Sequence, residues 1–170
     1  MNKRIDKINY YLDIAETVAT RSTCLRKKYG SVIVKNDEII STGYSGAPRG
    51  RINCSDLGYC NKKKMFPDKR HGSYDACRSV HSEQNAIISA SREKMIGSTL
   101  YLVGFKGDEV HEYEEGAAPC LMCRKIIINA GIEKVIVRIN KNEYATFLVQ
   151  DWVENDDSLT LHEGYWYKWC

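Results

Sequence analysis

The chain has 170 residues and a mass of 19.5 kDa, 43% of them hydrophobic, which suits one domain with a buried core and excludes two large ones. Lys and Arg number 25 against 22 Asp and Glu, a net charge of +3 that is too even for coating nucleic acid by electrostatics alone. A mean hydropathy of −0.45, with no apolar run near the roughly 18 residues of a membrane span, argues against an integral membrane protein. The opening MNKRIDKINYYLDIAE carries charges among its apolar residues and lacks the apolar core and cleavage site of a signal peptide, so a cytoplasmic location is expected.

Ile5, Ile8, Leu12, Ala15 and Ala19 recur at three- and four-residue steps and predict an amphipathic helix that packs on a sheet. Residues 31–35 and 38–43, joined by Asn36-Asp37, read as two strands of a hairpin. From about 44 to 79 the glycines, prolines, charges and cysteines show no period. So long a segment without structure is unusual inside a compact domain unless something holds it, and a metal ion is a candidate. Helical character returns over Val80–Arg92, with Val80 and Ile87 on one face and His81, Asn85 and Ile88 on another.

Thr99–Val103 is a short apolar strand, followed by a glycine-bearing acidic stretch from Gly107 to Gly116. Pro119 then opens a helix that ends at Asn129-Ala130-Gly131, proline at its start and glycine just past its end. Val135–Val137 predicts a buried strand, Glu143–Val153 a weaker helix, and Ser158–His162 a last strand before the aromatic tail 165–170. Helices alternating with apolar strands imply an α/β domain, with helices on both faces of one sheet and residues 1–170 forming a single domain.

The seven cysteines fall at 24, 54, 60, 77, 120, 123 and 170. Without an export signal they read as metal ligands or buried thiols rather than a disulfide framework. His81-Ser82-Glu83 opens one helix and Pro119-Cys120-Leu121-Met122-Cys123 opens another. One imidazole and two thiolates give three protein ligands for a tetrahedral Zn²⁺ and leave the fourth position for water, as a catalytic site requires. Cys120 and Cys123 are i and i+3, so one helical face presents both sulfurs, and the positive end of that helix favours the thiolate. Glu83 is close to the metal yet free to carry protons. H-x-E followed by P-C-x-x-C is the mark of the zinc nucleobase deaminases.

On these residues the chain, over roughly 5 to 140, resembles the cytidine and deoxycytidylate deaminases. The stretch IISTGYSGAPRG, with Tyr44 and Ser45, is similar to the family's substrate loop, and HSEQNAI and the cysteine-rich insertion at about 44–79 resemble the deoxycytidylate branch. The resemblance implies a three-layer α/β/α sandwich around a mixed five-stranded sheet. It implies zinc on His81, Cys120 and Cys123, with Glu83 as proton shuttle. Asn85 matches the asparagine that meets the sugar hydroxyl, and backbone N–H groups near Ser82 and Cys120 are candidates to orient the base. The activity implied is hydrolytic deamination of dCMP at C4, giving dUMP and ammonia. The partners implied are a nucleotide substrate, further copies of the chain in a hexamer, and dCTP and dTTP as effectors.

A second, structural zinc on Cys24, Cys54, Cys60 and Cys77 would pin the long insertion, with His71 as a rival ligand and plain buried thiols as the alternative. Against the family pattern, Ser45 replaces the asparagine of GYNG, Ser82 replaces alanine, and the step from Gly104 to Ala118, with Glu109, Glu112, Glu114 and Glu115, is longer. Arg49, Arg51, Arg70 and Arg78 stand best placed in sequence for a 5′-phosphate. Two other enzyme readings remain: a deaminase of CMP, cytidine or another pyrimidine nucleotide, and a polynucleotide-editing deaminase. The balanced charge and the lack of a basic stripe with interleaved aromatics disfavour the second. A non-catalytic zinc scaffold is a reading of another class.

Overall fold

The structure, a computed structural model, describes residues 4–67, 74–107 and 112–156. The calls on Arg70, His71, Glu109, the 158–162 strand and the aromatic tail with Cys170 lie outside them. Helix α1 (Lys7–Ala19) starts where Asp6 accepts a hydrogen bond from the Asn9 amide at 3.0 Å, and it buries Tyr11, Leu12, Ala15 and Ala19 as the period requires. Strands β1 (Lys27–Lys35) and β2 (Glu38–Tyr44) form the hairpin. Its two turn residues, Asn36 and Asp37, take φ of 51° and 68°, the left-handed pair that matches strand twist.

The segment after β2 is not structureless. A two-way bridge between Gly46 and Val80, with N–H···O distances of 3.1 and 2.8 Å, clasps its ends. Between them lie α2 (Cys54–Leu57), α3 (Asn61–Met65) and a 3₁₀ turn at Tyr74–Ala76. Val80 therefore belongs to the clasp, and the helix expected over 80–92 is shorter: α4 is Ser82–Ile88, capped at Ser89, and α5 is Arg92–Met95. Strand β3 (Thr99–Lys106) runs three residues beyond its predicted end, because Gly104 and Phe105 continue the pairing with Tyr29 and Lys28. Helix α6 (Leu121–Ala130) ends at Gly131, whose φ of 80° is the expected left-handed stop.

After β4 (Lys134–Asn140), the predicted helix over 143–153 is corrected: Glu143–Leu148 is strand β5, and only Val149–Glu154 is helical, as α7. Tyr144, Thr146 and Phe147 favour a pleated surface, and the Asn140–Glu143 turn folds this stretch back on β4 before a helix can start. The sheet order is β2-β1-β3-β4-β5, with β3 and β4 parallel and the other pairs antiparallel, a mixed five-stranded sheet as expected. Helix α1 packs on one face over Val32, Val34, Tyr101 and Val103, whereas α4, α6 and α7 cover Leu100, Leu102, Val135 and Val137 on the other. The expected three layers are present.

Two glycines set the layer spacing. A Cβ on Gly30 would stand 2.2 Å from the Ala15 carbonyl oxygen, and one on Gly43 would stand 2.3 Å from both the Ala86 nitrogen and the Ser82 oxygen. Backbone thus meets backbone on both faces of the hairpin. The second contact holds the first turn of α4 against β2 and fixes where the residues around His81 lie.

Candidate active site

His81 caps α4 and Cys120 caps α6, both in extended backbone, and Cys123 lies in the first turn of α6. The Gln84 side chain accepts from the His81 amide at 3.0 Å, locking that end of the helix. Two helix starts therefore converge, and the His81 Nδ1 lies 3.5 Å from the Cys120 Sγ and 3.3 Å from the Cys123 Sγ. All three ligand atoms lie within 4.8 Å of one another. Among the described residues this is the group of His, Cys, Asp or Glu side chains close enough to hold a metal ion.

The protonation of the group also fits a cation. A hydrogen bond with Cys120, together with burial, pushes the Cys123 thiol far above its ordinary range. Burial opposes a charge on His81, yet the hydrogen bond with Cys120 and the nearby Glu83 carboxylate raise its pKa. Sulfur and imidazole donors packed this closely hold onto protons until a divalent ion displaces them, and an N/S₂ donor set suits zinc.

Glu83 is 4% exposed, and burial holds its carboxyl above the usual carboxylate range, partly offset by His81. A raised carboxyl takes up and releases protons more readily near neutrality. The Ser82 hydroxyl donates to Glu83 Oε2 at 2.9 Å and receives from the Ser31 hydroxyl at 2.8 Å. Both serines are fully buried, so a strand residue orients the carboxylate through a helix residue.

One cavity holds His81, Ser82, Glu83 and Cys120 on its wall. Ser45 also lines it, but its hydroxyl is engaged with Ser22 at 2.7 Å and accepts from the Tyr29 amide at 3.0 Å. Asn85 donates to the Tyr44 carbonyl at 2.8 Å, and neither of these two lines the cavity. The arginines chosen from sequence are elsewhere: Arg49 donates to Ser89 Oγ, Arg78 donates to the Ile52 carbonyl, and Arg51 is exposed.

The cations that do line the cavity are Arg26, Lys27 and Lys62, with the aromatic rings of Tyr29 and Tyr74. Sequence reasoning passed over all five. Lys27 and Tyr29 were open to detection, because they alternate with Ser31 and Ile33 along β1 and therefore share the face toward α4. Lys62 and Tyr74 sit in the aperiodic insertion, which offered no such signal.

Cys24, Cys60 and Cys77 line the same cavity, and Cys54 is buried close by. Burial raises the Cys54 and Cys77 pKa values, and the other sulfurs of the set raise them further. The four thiols are neighbours at longer range than the His81 group. The acidic step before α6 is turned to other work: Glu114 pairs with Lys27 at 2.8 Å, Glu112 and Glu115 pair with Lys106 at 3.1 Å, and Tyr113 donates to Glu16 at 2.6 Å.

A family model described as the cytidine and deoxycytidylate deaminase zinc-binding region matches residues 5–139. The chain belongs to this family. It is 35% identical over 137 residues to the deoxycytidylate deaminase of Mycobacterium phage D29, covering 78% of this chain and 94% of that one. It is also 31% identical over 136 residues to the deoxycytidylate deaminase of Schizosaccharomyces pombe, covering 79% of this chain but only 37% of that longer protein. Among solved structures, the dCMP deaminase of cyanophage S-TIM5 in complex with dCMP and dUMP aligns with a TM-score of 0.51 and 26% identity, over 79% of this chain and 84% of that one. Zinc is the metal of this deaminase family, and the convergent His81, Cys120 and Cys123 side chains are a group able to hold it.

Proposed function

We propose that this deaminase hydrolyses dCMP to dUMP and ammonia. The observation that carries the reading is one cavity whose lining joins His81, Cys120 and Glu83 to three cations, Arg26, Lys27 and Lys62. A cytosine nucleotide has that polarity, with a base to be hydrolysed and a phosphate to be neutralised. The likeness to phage deoxycytidylate deaminase supports the same substrate.

His81, Cys120 and Cys123 would hold the zinc, which would supply a Lewis acid that makes water a stronger nucleophile at neutral pH. Glu83 takes the first proton of the attacking water on its carboxylate and delivers it to N3 of the base, then takes the proton of the new C4 hydroxyl and passes it to the departing amine. Water's oxygen ends on C4, the C4–N bond breaks, and ammonia leaves. Ser31 and Ser82 keep the carboxylate aimed throughout.

Ammonia release from dCMP, CMP, deoxycytidine, dCTP and single-stranded DNA tests the reading. Turnover is expected with dCMP and strongly reduced without the 5′-phosphate; equal rates on deoxycytidine, or activity confined to single-stranded DNA, would overturn it. Glu83→Ala is expected to keep its zinc and lose about 10²–10⁴ in rate. A variant turning over near the parental rate would remove Glu83 from the proton path.

A second zinc on Cys24, Cys54, Cys60 and Cys77 is part of the same proposal. Four thiols gathered around the base of the insertion support it, with burial and the neighbouring sulfurs raising the pKa of Cys54 and Cys77. Metal analysis of Cys54→Ser is expected to give one zinc per chain instead of two. Retention of two would exclude Cys54 as a ligand. The resemblance further supports a cytoplasmic homo-oligomer, hexameric, with dCTP as activator and dTTP as inhibitor. Exposed Ile52 and Ile88 are consistent with a contact between copies. Sedimentation, and assays with each triphosphate, test these two points.

A further inference from the structure

The three cavity cations are not equivalent. Lys27 is already paired with Glu114 at 2.8 Å, and Arg26 is exposed, where solvent weakens any single ion pair. Lys62 is different: it is 6% exposed, lines the cavity, and forms no ion pair within 4.0 Å among the described residues. Its ammonium lies 5.3 Å from the centre of the Tyr74 ring, and that ring in turn lies 5.1 Å from the His81 ring. A ring face stabilises a cation by far less than a full counter-charge does. A buried lysine in the lining of a binding cavity, with no counter-charge within 4.0 Å among the described residues, is suited to an anion that arrives there.

We propose that Lys62, contributed by the insertion helix α3, is the specificity residue for the substrate's phosphate, its ammonium pairing with the 5′-phosphate while Tyr74 spaces it from the base-side wall. The inference rests on the dCMP reading above and assigns the discrimination to one side chain. It also gives the long insertion a task in recognition, since α3 carries Lys62 and the 3₁₀ turn carries Tyr74. The competing claim on the same charge is the thiol set. Cys77 feels the Lys62 ammonium, so the lysine would then serve those sulfurs and not the substrate.

The test compares kcat/KM for dCMP and for deoxycytidine in the zinc-loaded protein, in Lys62→Gln and in Lys62→Met, with zinc per chain measured in each. Methionine keeps an apolar stem against Tyr74 should the glutamine variant fold poorly. The expected result is a fall of about tenfold or more in the dCMP-to-deoxycytidine ratio, carried mainly by KM, with zinc content unchanged. Weaker competition by inorganic phosphate in the variants accompanies it. An unchanged ratio overturns the proposal, and so does a fall that appears only together with lost zinc. A parent protein that releases ammonia from neither substrate removes the dCMP reading itself, an outcome separate from either of these.

Discussion

The hydroxyl chain behind Glu83 is open to a double-mutant cycle. Ser31, Ser82 and Glu83 are 0%, 0% and 4% exposed, so each hydrogen bond among them is made in the absence of competing solvent. Ser82→Ala deletes the donor to Glu83 Oε2 and strands the Ser31 hydroxyl, two bonds lost at once. A bond to a carboxylate contributes about 1.5–3 kcal/mol and a neutral one about 1, so the single change should cost about 2.5–4 kcal/mol. In a chain of this size that lowers Tm by roughly 5–16 °C. Ser31→Ala should cost about 1 kcal/mol. The double variant should cost no more than Ser82→Ala alone, because the stranded hydroxyl is gone, leaving a coupling of about 1 kcal/mol. Urea unfolding of the four proteins at saturating zinc measures it. Additivity within about 0.3 kcal/mol would refute the chain. The same Ser82 bond lowers the Glu83 pKa, so its removal should move the acidic limb of the kcat profile to higher pH. A limb that stays put would mean the serine does not touch the working carboxylate.

Gly43→Ala should push the start of α4 off β2, since the added methyl meets backbone at 2.3 Å; a loss of about 1–3 kcal/mol and of bound zinc is expected, and full zinc content would show that the contact does not position His81. Arg138, 1% exposed and paired with Asp13 at 2.9 Å and Glu16 at 3.1 Å, ties β4 to α1. Arg138→Met should cost about 3 kcal/mol, the low end for a broken buried pair because Asp13 is 42% exposed, and urea unfolding within 0.5 kcal/mol of the parent would contradict this. Tyr113 is pushed up to about 12 by burial and its bond to Glu16. The folded protein thus holds that proton more tightly than the unfolded chain, whose tyrosines titrate near 10. Stability from this group is complete below about pH 10 and lost as pH rises towards 12, so the alkaline decline in the urea midpoint should be shallower in Tyr113→Phe. An unchanged slope would remove the group from the balance.

The cluster of His81, Cys120 and Cys123 was legible because its constraints are local. An H-x-E at one helix start and a C-x-x-C at another already fix which atoms share a face, and the fold had only to bring two N-termini together. The sheet was legible at β1, β2, β3 and β4 for the same kind of reason, a short apolar period. Strand β5 was not: Tyr144, Ala145, Phe147 and Leu148 satisfy a helical and an extended reading about equally, and pairing with β4 is the non-local fact that decides between them. The cationic side of the cavity escaped for a stronger version of that reason. Arginines were sought near the motifs in sequence, yet the Gly46–Val80 clasp folds the insertion back so that α3, some twenty residues before His81, supplies the buried ammonium. The two halves of the site thus obey different rules. The hydrolytic half is written as spacing along two helices, where side-chain chemistry alone exposes it. The half proposed to face the phosphate is written in loop closure, so an insertion rearranged without touching His81, Glu83, Cys120 or Cys123 should change which cytosine compound is accepted while leaving the bond that is broken the same.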